Sequence, residues 1–388
     1  MIFTDPRFVL LVLIGWGLFF AVPPRHRPLV LAGSGVTFYA TFAGRHLPLI
    51  MALMVGTFLA TKGRALWILV GAIALLFAGF KLGLDMTWLR TGGTLPSAIS
   101  VPIVPLGFSF LSFELLHFAI DRRAGRITSA PVLEYAAFAF FFPCRVAGPI
   151  KRFPQFVEAV RTAEPSFVNV CSGLVRILVG LAKKTVLADT LGLTVAEISH
   201  ATTPFQVWRV VLAYSLQIYL DFSGYSDIAI GTSRLFGIAI PENFHAPYLS
   251  SSVQEFWTRW HISLSSWARD YIFAPLGRGL FRTRLRRFPD LVATLSCLAT
   301  FLFIGAWHGL TPNYLAWGAY HGLLVAGYLV YRRRVPLTVA TSRLYQSRYA
   351  DIVGALVTFF LVTVGWVPFI TKDLQHTLTT IRMMFGLS

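Results

Sequence analysis

The stretch FVLLVLIGWGLFFAVPP (Phe8 to Pro24) carries no ionisable side chain. A helix that crosses the hydrocarbon core of a bilayer needs about 20 predominantly apolar residues, and this window nearly supplies them. Three more charge-free windows follow: Pro28 to Gly44, Ala65 to Phe80 and Thr91 to Phe113. Later windows hold an occasional charge: Phe167 to Ala182 with Arg176, Val210 to Gly224 with Asp221, Leu291 to Trp307, Tyr314 to Tyr331 and Ile352 to Ile370. Only 13% of the residues are charged and 55% are hydrophobic, against about 25% charged in soluble domains. The mean hydropathy is +0.65. These numbers exclude a soluble globular protein. They predict an all-α polytopic membrane protein of about nine to eleven membrane helices, with re-entrant or interfacial helices among them.

The first window does not read as a cleavable leader, because Asp5 and Arg7 precede it and no small-residue cleavage motif comes before PPRHR. Cys144, Cys171 and Cys297 lie far apart with no CxxC pairing, so they suggest packing rather than a metal site or a disulfide framework. The formal net charge of +17 points less to nucleic acid than to topology, since Lys and Arg collect in cytoplasmic loops and face anionic lipid there. The basic clusters fit that account: Arg122, Arg123 and Arg126; Lys151 and Arg152; Lys183 and Lys184; Arg278 to Arg287; and Arg332 to Arg334 all separate apolar segments. No nucleic-acid partner is expected.

With no internal repeat and no low-complexity linker, residues 1–388 read as one membrane-embedded domain. Residues 1–95 are plain hydrophobic helix, and the more elaborate part, 102–388, has spans interrupted by polar and helix-breaking residues. FPCRVAGPIKRFPQF (Phe142 to Phe156) and YLDFSGYSDIAIG (Tyr219 to Gly231) are examples. Charge and broken backbone at membrane depth are tolerated where protein or a water-filled cavity satisfies them, so an interior polar site is expected. Asp221 and Asp227 suggest structural groups in a broken helix, with Ser223 and Ser226 bonding nearby backbone. His117, three residues after Glu114, is placed to pair with it.

Two stretches concentrate chemistry. In QEFWTRWHISLSSWARD (Gln254 to Asp270), read as one helix, Glu255 and Arg259 are i,i+4 partners. Trp257, His261, Leu264 and Ala268 share a stripe, beside a second of Phe256, Trp260, Ser263 and Trp267. The pattern fits an interfacial or re-entrant helix, or simply an aromatic belt at the membrane surface. In GAWHGLTPNYLAWGAYHG (Gly305 to Gly322), Pro312 and Asn313 mark a turn, and the flanking basic loops predict a hairpin with His308 near its tip. A buried neutral imidazole there is available as a general base toward a hydroxyl that attacks an acyl carbonyl. The competing reading is a hydrogen-bonded histidine at a helix end. GxSxG, HExxH and the P-loop are absent, and no metal is called for.

The run NFHAPYLSSSVQEFWTRWHISLSSWARDYIFAPLG (Asn243 to Gly277), followed by AWHG (Ala306 to Gly309) and WGAYHG (Trp317 to Gly322), resembles the membrane-bound O-acyltransferase family. VAGPIKRFPQF, GLAKKTVLAD and YLDFSGYSDIAIG are similar to its bacterial branch and stand in the expected order. The resemblance implies helices around a central funnel or tunnel. It also implies acyl transfer from a cytoplasmic donor to a hydroxyl on an extracytoplasmic polymer or carrier, in a multi-pass protein of the bacterial cytoplasmic (inner) membrane. The family's characteristic histidine falls on His308, the implied general base. His261 takes the second motif position, and Trp260, Arg259, Asp270, Tyr271, Trp307 and Asn313 would contact substrate. No bound cofactor is implied, the acyl donor being a co-substrate: acetyl-CoA or a carrier-protein thioester.

Two subgroups fit. DFSGYSDIAIG, the long EFWTRWHISLSS run and the closing WVPF…MMFG segment look like alginate O-acetylases, which work with an extracytoplasmic acyltransferase partner. WHGLTPNY looks more like the D-alanyl transfer proteins of teichoic acid, which draw on a small acidic carrier protein. The acetylase-like reading, acetylation of an envelope polysaccharide, is the main expectation. A polymer or lipid transporter, or flippase, is the competitor from another class, and a haem protein using His308 with His321 is disfavoured by Pro312 between them.

Overall fold

A computed structural model describes residues 2–60, 63–81, 105–343 and 345–387. Among them every regular element is helical, and the one β interaction is an isolated bridge between Phe244 and Trp260. The first half contains α1 (Pro6–Ala21), α2 (Arg27–Ala43), α3 (Leu47–Leu59), α4 (Gly63–Lys81), α5 (Phe108–Arg123), α6 (Val132–Phe140), α7 (Phe153–Arg161), α8 (Phe167–Leu181) and α9 (Asp189–Val195). Then come α10 (Pro204–Leu235), α11 (Val253–Arg259), α12 (Ile262–Ala268), α13 (Ala274–Phe281), α14 (Pro289–His308) and α15 (Pro312–Arg334). The chain ends in α16 (Leu337–Ala340), α17 (Arg348–Gly365), α18 (Val367–Ile370) and α19 (Leu374–Met384).

Among the described residues, three helical runs are long and apolar enough to cross a membrane unaided: Pro24–Leu59, Pro289–His308 and Arg348–Ile370. Pro6–Ala21, Arg64–Gly79 and Val132–Cys144 are shorter apolar helices. Most of the expected window Thr91 to Phe113, and the boundary between residues 95 and 102, lie outside the described residues.

The chain divides into two compact units. One holds Met1–Gly180 and Tyr225–Pro241; the other holds Leu181–Gly224 and Glu242–Ser388. In the first unit, α1 starts where the Asp5 carboxylate accepts the Arg7 backbone N–H at 2.8 Å, a standard N-cap, with Pro6 at the first helical position. The core is aromatic: Phe142 lies 5.7 Å from Phe8 and 6.0 Å from Phe38, while Phe138 packs on Phe153 and Phe156.

Within that apolar interior sits an ionic cluster. Glu114 on α5 pairs with the Arg145 guanidinium and, at 2.7 Å, with the Lys151 ammonium, all three side chains being buried. The proposed Glu114–His117 pair is therefore corrected. The carboxylate is held by the FPCRVAGPIKRF loop, and His117 Nδ1 instead lies 3.1 Å from the Phe113 carbonyl one turn back. Gly107, just before α5, has a left-handed backbone, and a Cβ there would lie 2.1 Å from the Arg145 carbonyl oxygen. Only glycine fits that corner.

A second correction concerns YLDFSGYSDIAIG. The helix is not broken there, for α10 runs from Pro204 to Leu235 without interruption. The aspartates are neutralised from outside the helix: Arg176 reaches Asp227 at 3.0 Å in the first unit, and Lys184 reaches Asp221 at 2.5 Å in the second. Ser223 Oγ is buried with no hydrogen-bond partner, so it does not serve the backbone role expected of it. Cys144 and Cys297 are buried, as a packing role requires, but Cys171 is exposed.

Candidate active site

The second unit carries both chemistry-bearing stretches. Its frame is the antiparallel hairpin of α14 and α15, joined by the turn at Gly309 to Thr311 between the two basic loops. Gly305 and Gly318 let the helices touch: a Cβ on Gly305 would lie 2.4 Å from the Tyr314 carbonyl oxygen, and one on Gly318 would lie 2.4 Å from that of Phe301. The small residues beside His308 thus admit another backbone.

His308 is the last residue of α14 and is half-buried. Its ring stands 4.6 Å from Trp307, 5.3 Å edge-to-face from Trp317 and 5.0 Å edge-to-face from Phe369 of α18, with Tyr314 stacked at 6.3 Å. Asn313, at the start of α15, is buried. Its amide donates to the Pro368 carbonyl at 2.9 Å and its carbonyl accepts the Thr311 hydroxyl at 2.5 Å. Those bonds tie α18, and with it Phe369, to the hairpin tip.

The second stretch is not one helix. α11 ends at Arg259, α12 begins at Ile262, and His261 between them has a left-handed backbone with φ 45°. Such a conformation is uncommon outside glycine, and here a neighbouring segment holds it. Asn243 accepts the Ile262 N–H on its backbone carbonyl (2.9 Å) and the Ser263 hydroxyl on its side chain (2.7 Å), while the His245 N–H reaches the Arg259 carbonyl (3.0 Å). The two expected stripes are therefore interrupted at Trp260–His261. The Ser252 hydroxyl caps α11, and Glu255 pairs with Arg259 at 2.6 Å as their spacing predicts.

This break aims His261 inward. Its ring is buried, 4.6 Å edge-to-face from Phe222 and 6.4 Å from Trp307. Burial, with a smaller contribution from neighbouring His308, lowers its pKa to about 3, so the imidazole is neutral throughout the physiological range. His261 and His308 therefore share one indole, that of Trp307, as a ring neighbour, which brings the two stretches together.

The other expected contacts divide. Trp307 neighbours both histidines, His308 at 4.6 Å and His261 at 6.4 Å. Trp260 is buried in an aromatic cluster with Phe256, Tyr248 and Trp366, and Arg259 is held by Glu255. Asp270 pairs with Arg269, and Tyr271 stacks 5.2 Å from Trp267, both on a π-helical turn at Arg269–Phe273. A second π-helix, Ala182–Ala188, positions Lys184 between Asp189 and Asp221. Burial pulls the Lys184 pKa down, but the two carboxylates outweigh it and the net shift is upward. Sequence reasoning missed Phe222, Trp317 and Phe369 as ring neighbours of the two histidines. All three stand inside quoted motifs, but nothing local marked them as facing a histidine.

The model of the membrane-bound O-acyltransferase family matches residues 61–367. The chain belongs to the membrane-bound O-acyltransferase family. Among individual relatives, the probable alginate O-acetylase AlgI of Pseudomonas putida is 33% identical, spanning all of this chain and 80% of that protein. The peptidoglycan O-acetyltransferase of Helicobacter pylori is 30% identical over all of this chain and 80% of its own length. The teichoic acid D-alanyltransferase of Bacillus subtilis is 29% identical over 70% of each. The protein is thus a membrane-embedded O-acyltransferase, moving an acyl group onto a hydroxyl, and the transporter reading is set aside.

Proposed function

We propose that this O-acyltransferase acetylates hydroxyls of an envelope or secreted polysaccharide from the bacterial inner membrane, with His308 as general base. The observation that carries the assignment is the placement of His308. It is the half-buried imidazole at the hairpin tip, enclosed by aromatic rings, and it shares the neighbour Trp307 with neutral His261. In the reaction, His308 takes the proton of the acceptor hydroxyl as its oxygen adds to the carbonyl of a thioester donor, acetyl-CoA or a carrier-protein thioester. The tetrahedral intermediate then expels the thiolate, which recovers the proton from the imidazolium. His261 stays uncharged and orients a donor or acceptor dipole. Trp307, a neighbour of both rings, shapes the space for the reacting groups, and Trp260, Arg259, Asp270, Tyr271 and Asn313 are proposed as further substrate contacts.

The acetyl assignment draws support from O-acetylase relatives matched over the whole chain, whereas the D-alanyl relative is matched over 70%. An acidic acyl carrier and D-alanine are the second reading, which the WHGLTPNY wording favours. An extracytoplasmic acyltransferase that relays the group to the polymer is the partner expected under the first. The test is an ester census of envelope polymers, by mild alkaline release and mass spectrometry, in strains with the native protein, without it, or with His308→Ala. Acetate lost in both altered strains supports the proposal, with transfer reduced about 10²–10⁴-fold as for removal of a general base. Loss of D-alanine selects the second reading. Normal esters with well-folded His308→Ala protein refute the assignment of the base.

A further inference from the structure

We infer that the second unit holds a site for one anionic phospholipid, its acyl chain lying in a cleft along α14 and its headgroup on the arginine loop that precedes that helix. The cleft has a volume of about 230 Å³, far more than the roughly 15 Å³ that admits a water. On α14 it is lined by Cys297, Thr300, Phe301 and Ile304. These are i, i+3, i+4 and i+7, a stripe parallel to the helix axis. Val325 and Leu329, one turn apart on α15, line it from the other side of the hairpin. The groove therefore runs about 10 Å along a membrane-spanning helix, in the direction lipid tails run.

The cleft begins at the depth that the end of a tail reaches. α14 starts at Pro289, and Cys297 is eight residues on, about 12 Å along the axis. A leaflet's hydrocarbon is about 15 Å thick, half the bilayer core. A lipid whose phosphate lies level with the start of α14 would bring the end of its acyl chain to Cys297, where the cleft opens toward Ile304.

Charge identifies the headgroup. Arg278, Arg282, Arg284, Arg286 and Arg287 are exposed, and among the described residues none has an acidic partner. Asp290, the nearest acid in sequence, is taken by Arg333 and Arg334 at 3.1 Å each. Exposed Phe281 and Phe288 flank the run from Arg282 to Arg287, as in segments that lie at a lipid interface. Guanidinium groups suit phosphate oxygens in two-point contact. An acidic protein would match the charge but would leave the phenylalanines and the cleft unexplained.

The cleft is coupled to the reaction site through its walls. Ile262, next to His261, lines it, and so does Trp257, whose ring is 5.7 Å from Trp317, the neighbour of His308. A chain in the cleft supports α11 and α12 from behind. The inference is independent of the acyl donor and acceptor.

The test uses the purified full chain in phosphatidylcholine nanodiscs containing a minority of phosphatidylglycerol with a photoreactive diazirine on its acyl chain. Phosphatidylcholine with the same chain is the control, and labelled peptides are mapped by mass spectrometry. The phosphatidylglycerol probe is expected to label the cleft segments 257–269 and 297–304 at least about fivefold more than the control. Arg284→Glu/Arg286→Glu/Arg287→Glu, on an exposed loop, should remove that preference. Val325→Trp, which fills the groove, should move the label elsewhere. Equal labelling by both lipids, or phosphatidylglycerol labelling confined to other segments, overturns the site. So does a purified protein that retains an acidic protein on the arginine loop while the cleft stays unlabelled. If Val325→Trp fails to fold, the charge-reversal arm decides alone.

Discussion

Replacing Gly305 by alanine tests whether the hairpin contact positions His308. The added Cβ would lie 2.4 Å from the Tyr314 carbonyl oxygen and 3.4 Å from the Gly318 Cα, and ordinary contact begins at 3.4 Å. The oxygen belongs to the α15 backbone and is no flexible tip, so the two helices must part by 3.4 − 2.4, or about 1 Å. Overpacking of this kind costs about 1–3 kcal/mol. Gly305 is three residues before His308, so the displacement falls where the ring is set between Trp317 and Phe369. A 1 Å misplacement of a reacting group costs about 10²-fold in rate. Gly327→Ala on α15 is the control: a Cβ there meets nothing within 4 Å, and replacing a helical glycine is worth about 0.5–1 kcal/mol in favour of the fold. The assay is acyl transfer by purified protein together with its thermal unfolding in detergent. Gly305→Ala should lose activity by more than its melting temperature accounts for, while Gly327→Ala keeps both. Wild-type activity and stability in Gly305→Ala would refute the claim that this contact fixes the base.

Other outcomes follow from the same geometry. Glu114→Gln leaves two buried cations, Arg145 and Lys151, without their shared carboxylate. It should destabilise the protein by about 3–5 kcal/mol, read as poor yield and early unfolding in detergent. Asn313→Leu removes the bonds to Pro368 and Thr311; about 1–3 kcal/mol of stability should go with the unpaired buried groups, and kcat should fall more than KM rises because Phe369 loosens beside His308. For His261 the folded pKa, about 3, lies below the unfolded value of about 6.5. The unfolded state therefore binds the proton first, and stability present above pH 6.5 declines as pH falls toward 3. At pH 5.5 the loss is about 1.4 kcal/mol, so melting curves between pH 8 and 5 should shift less for His261→Gln than for the native protein. Identical shifts in the two would contradict burial of a neutral imidazole.

What was legible in the sequence was what local periodicity carries. The charge-free windows within the described residues lie on helices, Glu255 and Arg259 pair one turn apart, and Pro312 with Asn313 marks the hairpin turn. The break at His261 was not legible, because nothing in TRWHISLS excludes a continuous helix. The left-handed residue is maintained by Asn243 and His245, whose approach is a tertiary event. The opposite error was made at DFSGYSD, where serines, glycine and two aspartates looked like a helix break. The helix continues because Lys184 and Arg176 arrive from distant positions to neutralise those aspartates. In both places contacts from another segment overrode local preference. Phe222, Trp317 and Phe369 were missed for a related reason: in a chain with 34 phenylalanines and 10 tryptophans, aromatic identity alone does not say which rings face a histidine.

The distribution of charge between the units bears on how a proton can move at His308. In the first unit the ionised groups deep in the core are held in a fixed cluster, where they stabilise the fold only while all partners remain. The site in the second unit is built differently: its second histidine is kept neutral by burial, and Trp307, Trp317, Tyr314 and Phe369 surround the ring of His308. Under the proposed mechanism His308 takes the hydroxyl proton and becomes a cation among aromatic rings. The negative faces of such rings attract a nearby cation, by about 0.5–2 kcal/mol, which is enough to favour the imidazolium but not to retain it. A permanent carboxylate in low dielectric would hold the proton far more strongly. In the proposed mechanism a weakly stabilised imidazolium passes its proton on to the departing thiolate, so the aromatic wall suits a base that must be regenerated at every turnover.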